Sequence, residues 1–179
     1  LPVLPDTVVC VIGEMGDQAR AEADPEHAAM VLRSNFEGPA LLLGMIANRF
    51  LARGSGTLVG VSSVAGDRGL ASNYVYGAAK AGFTAFLSGL RNRLSGTGVR
   101  AITVKPGFVR TRMTAGMKLP PLLTAEPDEV AQAIFKAAEG DDGTGGRGDV
   151  LYVRPIWRVV MTVIAAIPEP VFKRLRLSR

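Results

Sequence analysis

Four short apolar runs, each separated from the next by a stretch long enough to hold a helix, limit what this chain can fold into. The runs are mainly apolar and rich in β-branched residues, which is typical of strands covered on both faces of a parallel sheet. Strand and helix therefore alternate as in βαβ units. The sequence predicts an α/β fold with a doubly wound parallel sheet in a three-layer αβα arrangement. The predicted strands are 6–12, 57–62, 99–105 and 150–153.

The helices are predicted from Gly and Pro signals at their ends. Gly96-Thr97-Gly98 stops one helix, and Pro127 starts another. No internal repeat or linker divides the chain, so residues 1–153 are predicted to belong to one domain and residues 154–179 to form a C-terminal tail. The predicted helices are 25–53, bent near Gly38-Pro39, then 72–95 and 127–140, and a polar, Gly-rich loop follows at 141–148.

The cysteine and histidine content argues against several kinds of site. The chain has one cysteine, Cys10, and one histidine, His27. A disulfide framework, a Cys- or His-rich metal centre and a Ser-His-Asp triad each call for more than these two residues provide. We therefore expect no metal site, and we interpret Cys10 as a small core residue of the first strand.

The net charge of +5 comes entirely from the end of the chain. Residues 1–146 contain 14 Lys/Arg and 14 Asp/Glu, whereas residues 147–179 contain 7 and 2. A basic groove across the domain is not implied, and we expect no nucleic-acid partner.

The basic tail carries an apolar stripe at helical spacing, and two interpretations of it stay open. In the first, an apolar face with a basic rim lies on an anionic membrane surface. In the second, the stripe packs on the domain and the cations are solvated. The stripe is Trp157, Val160, Ile164 and Ile167, and the surrounding cations are Arg154, Arg158, Lys173, Arg174, Arg176 and Arg179.

The strongest chemical signal is Tyr76-Gly77-Ala78-Ala79-Lys80 on a predicted helix. Residues four apart share one helical face, so the phenol and the ammonium can address the same point. A free tyrosine has a pKa of about 10, and a nearby Lys⁺ favours the phenolate and lowers that pKa. Tyr74 is the alternative, but its partner four residues on is Ala78, which cannot assist it.

Three further features stand at fixed distances from this pair. Ser63 follows the strand 57–62, thirteen residues before Tyr76, and Asn35 lies 28 residues before Ser63. Pro106-Gly107-Phe108-Val109-Arg110-Thr111 follows the next strand. In this combination the sequence resembles the short-chain dehydrogenase/reductase family over about residues 6–153.

The resemblance implies a Rossmann-type fold and an NAD(P)-dependent oxidoreductase that reduces a ketone to a secondary alcohol, with 1–153 as the catalytic portion. Tyr76 is then the general acid or base at the substrate oxygen, which Ser63 also holds. Lys80 lowers the pKa of Tyr76 and hydrogen-bonds the nicotinamide ribose. Asn35 completes a water-linked proton relay. Ser62 is the alternative to Ser63, because adjacent strand residues point to opposite sides.

The cofactor that the resemblance favours is NAD(H), with NADP(H) as the alternative. Two departures from the family pattern bear on how it is held. The usual Asn-Asn-Ala-Gly segment is Cys10-Val11-Ile12-Gly13 here, so only backbone contacts to the adenosine side can persist. No Gly-rich phosphate loop is present, and we expect two to three βα units, roughly 70 residues at about 30 per unit, to precede Leu1. The implied cofactor-binding residues are Ile12, Gly13, Tyr76, Lys80, Pro106, Gly107, Val109 and Thr111.

Within the family, the chain resembles bacterial reductases that act on the 2-keto group of a pentose carried by a polyprenyl phosphate and yield the arabinose form. The segments that carry this likeness are 62–69, 72–77, 87–94, 104–109 and the tail. It implies a keto-sugar polyprenyl phosphate as substrate and a flavin oxidase as partner. It also implies a cytoplasmic or peripheral membrane location in a bacterium, and a homo-oligomer is a further expectation.

Alternatives to this function also stay open. One is a general short-chain ketoreductase for soluble or lipid substrates, and another is a catalytically silent binding or partner-stabilising protein. Arg68, beside the end of the second strand, is a candidate for contacting a substrate phosphate, and a solvated loop arginine is the alternative interpretation.

Overall fold

The computed structural model describes residues 3–140 and 148–175. Its centre is a four-stranded parallel sheet in the order β1-β2-β3-β6, and a separate parallel pair, β4-β5, lies after β3 in the chain. The predicted parallel α/β fold is confirmed. The strands are β1 Thr7–Cys10, β2 Gly56–Val61, β3 Val99–Lys105, β4 Phe108–Val109, β5 Thr124–Ala125 and β6 Val150–Tyr152.

The first strand differs most from its prediction. It ends at Cys10 and not at residue 12, and of its four residues only Cys10 is buried. Within the described part of the chain, β2 is the one strand that pairs with β1, so β1 forms an edge of the sheet. The expectation of a strand covered on both faces is therefore wrong for β1, whereas it holds for β2 and β3.

The long helix predicted at 25–53 is interrupted directly before Gly38, next to the predicted bend. A π-helical turn, Arg33–Glu37, separates two α-helices, and it contains the candidate residue Asn35. Such turns often mark functional sites, because the widened turn redirects one side chain. The helices are α1 Gln18–Ala23, α2 Pro25–Leu32, α3 Gly38–Arg53, α4 Tyr74–Leu94, α5 Pro127–Glu139, α6 Ile156–Ala166 and α7 Glu169–Phe172.

Two apolar clusters hold helices on opposite faces of the sheet. On one face, α3 and α4 pack against β1, β2 and β3 through Leu43, Phe50, Phe83 and Leu87. On the other face, α5 packs through Ala137 against a cluster that includes Val59, Ile102 and Val104. The three-layer arrangement leaves the carboxyl ends of β2 and β3 beside one another, where ligands bind in open α/β sheets.

The tail packs on the domain. Trp157 and Met161 are buried with Val64, and the Trp157 ring meets the Phe108 ring edge-on at 5.5 Å between centroids. Val160 and Ile164 of the predicted stripe contact the same cluster, and Ile167 is half-buried. Val159 and Val163 on the outer side of α6 stay exposed.

The structure bears on only part of the remaining tail and loop predictions. Arg154 forms an ion pair with Glu129 at 2.8 Å, whereas Lys173 and Arg174 are exposed. Arg176, Arg179 and, apart from Gly148, the predicted loop 141–148 lie outside the described residues. In the segments 3–140 and 148–175, no helix combines the length and the apolar character that crossing a bilayer requires.

Candidate active site

Ser63 lies directly beyond the carboxyl end of β2, where the chain turns sharply. It caps the 3₁₀ turn Val64–Gly66, and its hydroxyl oxygen accepts a hydrogen bond from the Ala65 amide at 3.1 Å. Ser62 points elsewhere: its hydroxyl donates to the Lys80 carbonyl at 2.9 Å and lies 2.7 Å from the Thr84 hydroxyl. The structure therefore brings Ser63, and not Ser62, to the end of the sheet where Tyr76 stands.

Tyr76 lies in the first turn of α4 and is buried. The start of this helix lacks a side-chain cap of its own, since Asn73 makes no capping hydrogen bond. Instead Gln18 of α1 accepts a hydrogen bond from the Val75 amide at 3.2 Å. An orphan amide of the helix is thus satisfied from 57 residues away, next to the candidate catalytic tyrosine. Tyr74, the alternative, is exposed.

The pKa of Tyr76 differs from the expectation. Burial raises the pKa of the phenol above 10, and a side-chain hydrogen bond with Ser63 acts in the opposite direction. The Lys80 ammonium lies 5.7 Å from the centroid of the Tyr76 ring and donates its hydrogen bonds to the carbonyls of Ile12 and Val61, not to the phenol. Tyr76 is therefore protonated at neutral pH, which suits a proton donor.

Lys80 is buried one turn further along α4, and its Nζ donates to the Val61 carbonyl at 3.2 Å and the Ile12 carbonyl at 3.4 Å. Burial lowers the pKa of Lys80 to about 8, with the nearby Cys10 acting in the other direction. The ammonium thus joins the end of β2 to the segment that follows β1.

Asn35 and Gly13 complete this side of the site. The Asn35 amide is held by backbone groups: its oxygen accepts from the Glu14 amide at 3.2 Å, and its nitrogen donates to the Glu14 and Val31 carbonyls at 2.5 and 2.8 Å. A Cβ at Gly13 would lie 3.0 Å from the Asn35 oxygen and 3.1 Å from Lys80 Nζ. Asn35 therefore stands beside Lys80, with Gly13 between them.

The segment after β3 contains the other predicted cofactor residues. The Pro106 carbonyl accepts from the Val64 amide at 3.0 Å, so this segment is joined to the turn after Ser63. Gly107 is covered by the Trp157 indole, which a Cβ at this position would overlap. The Val109 carbonyl accepts from the Thr114 hydroxyl at 2.6 Å, and Thr111 caps the short turn that follows.

These residues fit a nicotinamide cofactor at its ribose end. Lys80 and Tyr76 provide hydrogen-bond donors, and the missing Cβ of Gly13 leaves the backbone open to close approach beside Lys80. The roles assigned to Asn35, Ser63, Tyr76 and Lys80, and to the cofactor residues, stay predictions.

Arg68 differs from both of its interpretations. Its guanidinium forms an ion pair with Glu169 at 2.5 Å, lies 4.1 Å from the centroid of the Phe172 ring and donates to the Ala165 carbonyl at 3.3 Å. An acidic side chain of the tail, and not an open anion site, therefore faces this arginine.

A cluster of Lys105, Asp67 and Tyr152 behind the site was missed at the level of sequence. The Lys105 ammonium donates to Asp67, and the Tyr152 hydroxyl donates to the same carboxylate at 2.9 Å. A signal did exist, since a lysine at the end of a mainly apolar predicted strand calls for a partner. The identity of the partners could not be found, because they lie 38 and 47 residues away from Lys105.

Comparison with known proteins gives a consistent picture. Residues 6–120 match the sequence model described as short chain dehydrogenase. An uncharacterized oxidoreductase of Mycobacterium tuberculosis is 47% identical over 169 residues, which are 94% of this chain and 65% of that relative. The acetoacetyl-CoA reductase of Allochromatium vinosum is 30% identical over 148 residues, covering 77% of this chain and 60% of the reductase. The chain thus spans about two-thirds or less of the length of these relatives.

A solved structure shares the fold. The short chain dehydrogenase from Burkholderia cenocepacia, determined in complex with NADP, superposes with a TM-score of 0.75 at 23% identity, covering 96% of this chain and 70% of that one.

Proposed function

Because the chain belongs to the short chain dehydrogenase family, we propose that it is the catalytic portion of an NAD(P)-dependent oxidoreductase that reduces a ketone to a secondary alcohol. One observation carries the proposal: Tyr76 is buried within hydrogen-bonding reach of Ser63, and Lys80 lies one turn away on the same helix. A silent binding protein has no need for this arrangement, which disfavours that alternative.

The proposed reduction adds a hydride and a proton to the carbonyl group of the substrate. When bound, the reduced nicotinamide cofactor supplies a hydride to the carbonyl carbon. Tyr76 donates its phenolic proton to the carbonyl oxygen, so the C=O bond becomes C–O–H and the tyrosine is left as phenolate until it is reprotonated. Ser63 donates a hydrogen bond to the same oxygen, where negative charge develops in the transition state.

For Lys80 we propose the ribose contact and the stabilisation of the phenolate that forms during turnover. Its pKa of about 8 leaves it mostly charged at neutral pH. Asn35 holds the segment after Gly13 through Glu14, and we propose that this keeps the cofactor side of the site in place. NAD(H) and NADP(H) are both compatible with these residues.

For the substrate, we propose the 2-keto group of a pentose carried by a polyprenyl phosphate, with a flavin oxidase as the supplier of the ketone. The narrower resemblance supports this choice, and so do the exposed Val159, Val163, Lys173 and Arg174 of the tail, which suit a peripheral membrane location. A general ketoreductase is the second candidate, and the relative named acetoacetyl-CoA reductase favours it.

The test is turnover of the full-length protein with NADH or NADPH and either the polyprenyl-phosphate keto-pentose or acetoacetyl-CoA. We expect Tyr76→Phe to remove nearly all reduction while cofactor affinity, measured by titration, stays close to unchanged. Tyr74→Phe is the matched control and should keep its rate. A near-normal rate in Tyr76→Phe contradicts the mechanism. If the unsubstituted protein reduces neither of the two ketones, both proposed substrates are wrong.

A further inference from the structure

Three polar side chains from separate elements meet behind the candidate site. Lys105 is the last residue of β3 and is 6% exposed, Asp67 lies in the turn after β2, and Tyr152 ends β6. The Lys105 ammonium donates to one oxygen of Asp67, the Tyr152 hydroxyl donates to the other at 2.9 Å, and the ammonium lies 3.5 Å from that hydroxyl. Each polar group of the cluster therefore has a partner.

The burial of this ion pair calls for an explanation other than stability. Only 8% of the Lys105 side chain and 13% of the Asp67 side chain reach solvent. Taking two charges out of water costs as much as their attraction returns, and apolar residues of similar size often stabilise a core as well. Such a pair instead fixes the position of one structural element relative to the other, here the turn after β2 relative to β3.

The element that the cluster holds is the turn that begins at Ser63. The Asp67 amide donates to the Val64 carbonyl at 3.0 Å, which closes the turn, and the Val64 amide donates to Pro106 at 3.0 Å. The turn is thus attached to the end of β3 at two points, by backbone at Val64 and by side chain at Asp67. On its other side, Gly66 lies against the backbone of α4, since a Cβ there would be 2.8 Å from the Ala81 nitrogen.

We propose that Asp67, Lys105 and Tyr152 are positioning residues that hold the Ser63 hydroxyl against Tyr76. None of them acts on the substrate; each acts through the turn that carries Ser63. The inference rests on the proposed function, in which Ser63 and Tyr76 share the substrate oxygen. Arg158 of α6, 5.5 Å from the centroid of the Tyr152 ring, is a further charged group that faces the cluster.

The test is a double-mutant cycle on the full-length enzyme. Tyr152→Phe is the mildest variant, because it removes one hydrogen bond and keeps the buried ion pair, and Asp67→Asn is the second. In the unsubstituted background we expect each to lower kcat by about tenfold through misplacement of Ser63, with the Kd for the cofactor changed less than about twofold. In the Ser63→Ala background the same substitutions should change kcat by less than about twofold, because the residue they position is gone.

Thr103→Val is the control for a structural effect alone. Thr103 is buried on the same strand, two residues before Lys105, and accepts a hydrogen bond from Arg91 at 2.6 Å. Thr103→Val should lower the melting temperature, as we also expect of Tyr152→Phe, and should leave kcat unchanged. Losses in kcat that add to that of Ser63→Ala, or an unchanged kcat in Tyr152→Phe, would overturn the inference alone. An unsubstituted enzyme that reduces no ketone overturns the proposed function and the inference with it.

Discussion

Lys80 Nζ lies 5.7 Å from the centroid of the Tyr76 ring, over its face, and makes its hydrogen bonds to the carbonyls of Ile12 and Val61. The two residues share a helical face, as their spacing of four predicts. The ammonium nevertheless binds backbone carbonyls of the segment after β1 and of the end of β2. Lys80 is consequently a structural link as well as a candidate catalytic group, and its burial has a measurable effect on stability.

The first prediction follows from the pKa of Lys80, which burial lowers from 10.5 to about 8. Between about pH 8 and 10.5 the unfolded chain binds more protons than the folded protein, so the cost of burying the charged amine is full below pH 8 and is relieved as pH rises. This difference between the pKa of Lys80 in the unfolded and folded states corresponds to about 3 kcal/mol of unfolding free energy. Urea unfolding should show that Lys80→Met gains stability relative to the parent at pH 7, and that this gain shrinks by pH 10. A gain that is the same at both pH values contradicts the assigned pKa.

The second prediction concerns the contact between the turn after Ser63 and α4. A Cβ at Gly66 would lie 2.8 Å from the backbone of Lys80 and Ala81, so Gly66→Ala must push the turn away from the helix. We expect a loss of about 1–3 kcal/mol in unfolding free energy, as for overpacking elsewhere, together with a lower kcat. Gly89→Ala on the same helix meets nothing within 4 Å and should gain about 0.5–1 kcal/mol with an unchanged rate. Equal stability of the two variants would show that the turn is free to move.

How much of this could be predicted depends on the distance in sequence over which each feature is determined. The bounds of β3 and α5 follow from local signals, namely an apolar run closed by Pro106 and a helix begun by Pro127, and the structure agrees with both to within one residue. The hydrogen bonds of Asn35 to Glu14 and of Gln18 to Val75 join residues 21 and 57 positions apart. Such pairings are set by the tertiary fold, and no local pattern encodes them.

The tail shows the same limit in another form. Its helical stripe was recognised, but one sequence supports both packing and membrane contact, and only the fold decides which face is covered. The structure places Trp157 over Gly107 and pairs Arg68 with Glu169, so the predicted stripe faces the domain. What remains exposed is the outer face with Val159 and Val163.

The third prediction concerns this exposed part of the tail. Lys173→Glu with Arg174→Glu should weaken binding of the full-length protein to anionic liposomes, because each cation near such a surface contributes about 1 kcal/mol and the reversal adds repulsion. The control reverses two exposed cations elsewhere, Arg49→Glu with Lys136→Glu, and changes the net charge equally. Co-sedimentation that falls by the same amount in both variants would indicate a general charge effect. If it falls in neither variant, the tail packs on the domain and does not bind the membrane surface.

The last prediction concerns the edge formed by β1. Val9 in β1, and Val11 and Ile12 directly after it, are 42%, 66% and 49% exposed, although this part of the chain is apolar and uncharged. An exposed, apolar strand edge is a template for pairing with another chain. Burying such a side chain contributes about 1.5–3 kcal/mol, and several left exposed can offset a domain's margin of roughly 5–15 kcal/mol. We therefore expect residues 1–179 expressed by themselves to aggregate or to lack a cooperative transition, and to bind no measurable NAD(H). Val11→Lys, which places a charge directly after this strand, should improve solubility, whereas Val163→Lys on α6 should not improve it as much. A monodisperse, cooperatively melting chain of residues 1–179 that binds NADH at micromolar concentration would show that the β1 edge causes neither aggregation nor loss of stability.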